Sequence, residues 1–432
     1  MRCGPAGARR YETADKENSV ETLSKRDREI LRRRAHIQLE YAHAPQNEII
    51  LAKWRAQAAG RRAAPPVRLL FSNFRHEVIA PRLQCEGEQA RRIEACLLDR
   101  LVGRELFDDD TPIPPTFDMT WQTRVRPFGI ESVIKRADGP HAQGFHIEPV
   151  IRNLEAELDK LRGGSFGVDR DETVRRREWL QEIFGDILPV RMVMGSLPGM
   201  MTNPLVHLMG MEAYYVSLFD CPAAVHQAME MAVGIYERYY DFLEKERLLL
   251  PTNGFAPLAQ ESFAFTDELP ADAVTRTTEC WGYLESQETT AVSAETFGEF
   301  VFPYQQRLVE RFGLLSYGCC ERVDAIWPDY LSRWPKLRKL SVSPFNDERR
   351  VGDFLRGSRV VYYSKPRAEF VTRDGPLDDE AIMTYFKGVC EAASGCLFEI
   401  AQREVGTIFG DFERGRHYVR LARAAVERYW RP

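Results

Sequence analysis

Two adjacent thiols and a carboxylate, Cys319-Cys320-Glu321, follow directly on the apolar run Leu314-Leu315-Ser316-Tyr317 and a glycine, Gly318. Thiolates and a carboxylate oxygen are acceptable ligands for zinc, which takes four ligands, or three and an open position where it is catalytic. As a thiolate, a cysteine in such a place is equally a nucleophile. A third reading is packing, because free cysteines are often small buried apolar side chains. Neighbours on an extended strand point to opposite faces, so both thiols can meet one ion only where the strand has ended. There is no CxxC pair elsewhere in the chain.

A second cluster is Trp281-Gly282-Tyr283-Leu284-Glu285-Ser286-Gln287-Glu288-Thr289, with two carboxylates three residues apart. Glu285 and Glu288 could do acid–base work or ligate, or be two solvated acids on a loop. In Pro251-Thr252-Asn253-Gly254, Asn253 could donate to a substrate oxygen, and Asn-Gly also marks a plain turn. Lys365, in Tyr363-Ser364-Lys365-Pro366, follows an apolar run and could hold an anion or be solvated. His146 and His207 lie in turn-like stretches, and no HxxxH or HExxH pair occurs. No GxGxxG or GxxxxGK[ST] loop occurs either, so those modes of nucleotide binding are unsupported.

These residues need elements to position them. Ser24 to Ala56 reads as one or two helices broken at Pro45, with Ser24 as a cap and Ile30, Ile37 and Tyr41 on one face. Helical pattern returns from Glu88 to Leu106, and Pro112, Pro114 and Pro115 then break the chain. Further on, Val190–Met194, Leu314–Tyr317, Leu340–Val342, Val360–Tyr363 and Cys396–Ile400 read as buried strands. Cys221–Glu246 and Thr296–Phe312 read as helices, with Ser293 capping the second. Strand and helix alternate roughly every 30 to 40 residues, which predicts parallel βα units and suggests a (β/α)8 barrel. In such a barrel, chemistry sits just past the carboxyl ends of the strands. The expected organisation is a loose N-terminus at 1–22, a helical region at 23–115 that packs on the barrel, and the barrel itself at 116–432.

Composition narrows the class of function. The chain has 432 residues, 44% of them hydrophobic and 28% charged, enough for a large core. The net charge of −5 argues against nucleic acid, and the basic stretches Lys25–Arg34 and Arg175–Arg177 are laced or flanked with acids. No run of about 18 uncharged apolar residues suggests a membrane span. Nine cysteines at scattered spacings do not read as a disulfide framework, and a reduced, cytoplasmic protein is expected.

Val292-Ser293-Ala294-Glu295-Thr296-Phe297-Gly298-Glu299-Phe300-Val301-Phe302-Pro303-Tyr304 resembles the SPExFxEFxxPY helix of the uroporphyrinogen decarboxylase superfamily. The strand end at Ser316, then Ser341-Val342-Ser343 and Tyr363-Ser364-Lys365-Pro366, follow in that superfamily's order, over roughly residues 180–410. The resemblance implies a (β/α)8 barrel with its site at the C-terminal mouth. It also implies either porphyrinogen decarboxylation or zinc-dependent methyl transfer with a corrinoid protein. The arginine-bearing RQAGR motif of the decarboxylase is absent, and Arg124-Val125-Arg126-Pro127 does not match it. The methyltransferases' His-x-Cys-Gly is absent too: Ser316 and Gly318 stand at those places, and Cys319 and Cys320 follow. The chain thus resembles an atypical branch marked Tyr317-Gly318-Cys319-Cys320-Glu321.

The leading expectation is a methyltransferase or demethylase passing a methyl group to or from a corrinoid partner protein. Cys320, Glu288 and Glu321 are its expected catalytic residues, and Asn253, Lys365, His146, Tyr317 and Glu285 are expected to bind a small-molecule substrate. Cys319, Cys320 and Glu321 are the candidate zinc ligands. Rival expectations are a decarboxylase-type lyase, whose mouth should be lined with cations, and a non-catalytic barrel that binds a corrinoid or tetrapyrrole partner. The N-terminal helices could cover the mouth or form a homodimer contact.

Overall fold

The computed structural model describes residues 23–136 and 145–432, so the N-terminus expected to be loose lies outside the described residues. The strands are β1 Val67–Leu69, β2 Phe117–Met119, β3 Gln122–Arg126, β4 Val133–Arg136, β5 Phe145–Glu148, β6 Ser165–Asp169, β7 Val190–Met192, β8 Leu197–Pro198, β9 Trp281–Leu284, β10 Leu314–Tyr317, β11 Leu337–Val342, β12 Val361–Ser364 and β13 Leu397–Gln402. Seven of them form one parallel sheet in the order β1-β13-β12-β11-β10-β9-β8. β2 and β7 make a separate parallel pair, while β3–β6 and β4–β5 are antiparallel ribbons. The fold is therefore mixed α/β around a parallel sheet, as expected. Among the described residues the hydrogen-bond ladder does not close into the expected eight-stranded barrel.

The sheet nevertheless curls. Arg68 on β1 donates to the Glu261 carbonyl, and Gln260 Nε2 donates to Tyr283 OH on β9 (2.8 Å). β1 and β9 are five inter-strand spacings apart, about 24 Å in a flat sheet. Both nevertheless meet neighbouring residues of one loop. That loop runs from Asn253 to Thr266, where the apolar run Leu248–Pro251 leads to no strand. It fills the concave side of the sheet. Tyr363 OH donates to the Gln260 carbonyl (2.6 Å), and Lys339 Nζ donates to Ser262 Oγ (2.7 Å), which donates to Glu399 Oε2 (2.6 Å). Lys339 also pairs directly with Glu399.

On the convex side Leu284, Leu315, Tyr317, Leu340, Tyr362 and Phe398 are buried in the main apolar cluster between sheet and helices. Strand alternation explains the division: odd positions of β9 face the loop and even ones face the helices.

The helices follow local signals. Ser24 Oγ accepts from the Asp27 amide (3.0 Å) and starts Lys25–His43; Ala44 is extended ahead of Pro45, which begins Pro45–Ala58. The long helices Glu88–Phe107 and Pro222–Lys245 lie where periodicity places them. The helix expected over Thr296–Phe312 is two, Ala294–Phe300 and Phe302–Glu310. Pro303 has no amide hydrogen to carry the ladder across Val301. The region expected to be helical, 23–115, also contains β1, so the sheet takes its edge strand from it. Among the described residues no helix is long and apolar enough to cross a membrane.

Candidate active site

β10 ends at Tyr317, and Gly318 turns the chain with φ +97, a conformation that favours glycine. Past this turn the strand alternation no longer holds, and the two thiols come together, with Cys319 Sγ 3.7 Å from Cys320 Sγ. Cys319 is buried and Cys320 half-buried. Cys320 Sγ donates to Glu404 Oε1 (3.5 Å), a residue just past β13 in the left-handed region at φ 61. The backbone of the pair is held from neighbouring strand ends. Lys365 and Ser341 Oγ (3.3 Å) donate to the Cys319 carbonyl, and Ser343 Oγ donates to that of Cys320 (3.1 Å).

Three buried glutamates lie at this end of the sheet and differ in what their oxygens do. Glu321 accepts from the Ser286 amide (2.9 Å) and the Cys319 amide (2.6 Å), one oxygen each. Glu288 accepts from Thr202 Oγ1 (2.8 Å) and Asn203 Nδ2 (2.7 Å) at the start of the helix Thr202–Met209. Glu285 accepts from the Gln287 amide through Oε2 (3.0 Å), but its Oε1 is buried with no hydrogen-bond partner. Burial holds the Glu285 carboxyl well above the usual carboxylate range, reinforced by the negative charges of Glu288 and Glu321. Burial raises Glu321 too, against the opposing pull of its two amides and of Lys365. Glu285 accordingly holds its proton more tightly than an ordinary carboxyl group, and it keeps one unengaged oxygen.

The loop Asn253–Thr266 forms the floor beneath these groups. Gln260 is left-handed (φ 64), with its amide spanning Tyr283 OH and Lys365 Nζ (3.2 Å). Lys365 is thus tied to the floor and to the thiol turn.

The structure brings Cys319, Cys320, Glu285, Glu288, Glu321 and Lys365 to one end of the sheet. The other expected site residues go elsewhere. Asn253 spends its amide on its own loop, donating to Thr266 O (2.6 Å) and Leu269 O (3.2 Å) and accepting from Thr266 N (2.9 Å). His146 is exposed on the β4–β5 ribbon opposite Lys135. Tyr317 pairs in register with Leu284 and so faces the helices, against Trp334; only its hydroxyl reaches Ser286 Oγ (3.1 Å). Among the described residues, Cys319, Cys320 and Glu321 are not arranged as the zinc site that the resemblance implies. Glu321 turns both oxygens to amides, and among the described residues no three His, Cys, Asp or Glu side chains are grouped to hold an ion. Sequence reasoning missed Glu404, although a carboxylate just past an apolar strand is the pattern that marked Glu285. Gln260 carried no such signal, because it comes to the site on a loop inside the sheet.

No family model and no curated protein matches the sequence. Among solved structures, a methyltransferase from Methanosarcina mazei is similar, with a TM-score of 0.51 at 13% identity, covering 88% of this chain and 98% of that one. At that identity the likeness is one of fold.

Proposed function

We propose that the chain is a methyltransferase or demethylase of the uroporphyrinogen decarboxylase superfamily, a (β/α)8-type barrel that works with a corrinoid protein. One observation carries the reading: a buried acid with a raised affinity for its proton and an open oxygen, Glu285, and a thiol, Cys320, share one end of the sheet with Lys365. The fold likeness to a methyltransferase supports it. The corrinoid, carried by its own protein, supplies the methyl carrier when docked. On this chain, Glu285 gives its proton to the heteroatom that loses the methyl group as that bond breaks. Cys320, whose thiol hydrogen is directed at Glu404, provides the sulfur that meets the substrate. Lys365 orients an anionic part of the substrate, while Glu321 and Glu288 hold the turns that carry Cys319 and Glu285. The decarboxylase reading is weaker, because the acidic side chains of Glu288, Glu321 and Glu404 at this end of the sheet oppose a polycarboxylate substrate.

The test is transfer of methyl groups between free methylcobalamin and a panel of thiols, amines and methyl ethers, followed by the corrinoid spectrum. Turnover that falls on the order of 10²-fold in Glu285→Gln is expected. Absence of any corrinoid-linked transfer, together with release of carbon dioxide from a carboxylated tetrapyrrole, would overturn the reading.

A further inference from the structure

We propose that Cys319 and Cys320 form a reversible modification site, closing to a disulfide between adjacent residues on reaction with a small organic disulfide. The two sulfurs already face each other at 3.7 Å, at a turn that Gly318 makes outside the strand ladder. Their positions differ usefully: Cys320 is half-buried and reachable, while Cys319 lies beneath it. The remaining described cysteines are not placed this way. Cys85, Cys280, Cys390 and Cys396 are buried, and burial holds each thiol up, to about 12 for Cys280 and Cys390, while Cys96 and Cys221 are half-buried and neither adjoins another cysteine in the sequence.

The chemistry balances as two exchanges. The Cys320 thiolate attacks one sulfur of the small disulfide, forming a mixed disulfide and releasing one small thiolate. The Cys319 sulfur then attacks Cys320 Sγ and expels the second. The two cysteine protons pass to the two released thiolates. Two cysteines are oxidised, and one disulfide is reduced to two thiols.

Adjacent Cα atoms are about 3.8 Å apart, shorter than the roughly 4.4–6.8 Å that disulfides favour. The closed ring is strained, and strained disulfides are the readily reduced, regulatory kind. Closing it draws the sulfurs to about 2 Å, and moves Cys320 Sγ relative to Glu404. It also twists the Cys319–Cys320 peptide, whose carbonyl accepts from Lys365 and Ser341. If the proposed methyl transfer uses Cys320, oxidation halts it. The disulfide is read by mass, so its failure is distinct from failure of that function.

The experiment treats the full chain with oxidised glutathione, blocks the remaining thiols by alkylation, and maps the peptides by mass spectrometry. The peptide spanning Cys319–Cys320 should be lighter by two hydrogens, unalkylated, and restored by excess reduced glutathione. In Cys319→Ser the glutathione adduct should remain on residue 320, because its resolving sulfur is gone. A wild-type chain that keeps the adduct without closing, takes up none, or pairs Cys320 with another cysteine overturns the proposal. The wild-type arm alone decides, so a Cys319→Ser chain that fails to fold changes neither outcome.

Discussion

Glu285 and Glu321 have the same side chain and nearly the same burial, but different tasks. Glu321 is fully engaged by two backbone amides, so its replacement by Gln sets an NH2 against one amide hydrogen. Glu285 keeps one oxygen open and a raised affinity for its proton. That shift has a signed consequence for stability. In the unfolded chain Glu285 ionises in the ordinary carboxylate range, but in the folded protein it holds its proton to higher pH. Over that window the folded state binds more protons, so its stability falls as pH rises. Glu285→Gln keeps the acceptor for the Gln287 amide and cannot ionise. Its melting temperature, compared with wild type at a series of pH values, should gain on wild type from acid to alkaline conditions. A gap that is flat or shrinks with pH contradicts the assignment. The same shift predicts that kcat/KM for the proposed methyl transfer falls on the alkaline side, because the proposed proton donor is lost there. Types and strand ends are legible in the sequence here, and they point to Glu285, Cys320 and Lys365, which lie at one end of the sheet. The division of labour was not legible, because it depends on which amides come within 3 Å after folding.

At the scale of elements, the signals that could be read were local ones. Ser24, Pro45, Ser293 and the apolar run of β10 act within a few residues of themselves, and each did what its chemistry predicts. The break at Val301 was written in Pro303 and hidden by the amphipathic pattern on either side. The loop Asn253–Thr266 was beyond reach, since its partners Arg68, Tyr283, Lys339 and Tyr363 are scattered through the chain. Facing decides tolerance as well. Gly282 lies on the helix side of β9, where an added Cβ would enter the Phe312 ring. Gly282→Ala should therefore cost about 1–3 kcal/mol by overpacking, measured by urea unfolding. A change under about 0.5 kcal/mol, the range of surface substitutions, would mean that Phe312 moves aside freely.

At the scale of the whole molecule, one buried carboxylate joins the two ends of the chain. Asp110 Oδ1 accepts from Lys53 Nζ (2.9 Å) and Arg423 Nη2 (3.1 Å), and Oδ2 accepts from the Val67 amide (2.8 Å). It ties the helix Pro45–Ala58, strand β1 and the C-terminal helix Phe412–Tyr429 to one point. Removing one partner leaves the rest uncompensated, so Asp110→Ala should cost about 3–5 kcal/mol. Fluorescence and far-UV signals should still lose structure together in urea. Separate transitions would show that the N-terminal helices unfold on their own. The loop inside the sheet has a different consequence. Its residues meet strand side chains, while the sheet's backbone ladder runs through other residues. Its length and sequence can therefore change without shifting the register of a single strand. The floor beneath the thiols and glutamates is then an independently evolvable variable, and the groups it presents can be edited while the scaffold stays as it is.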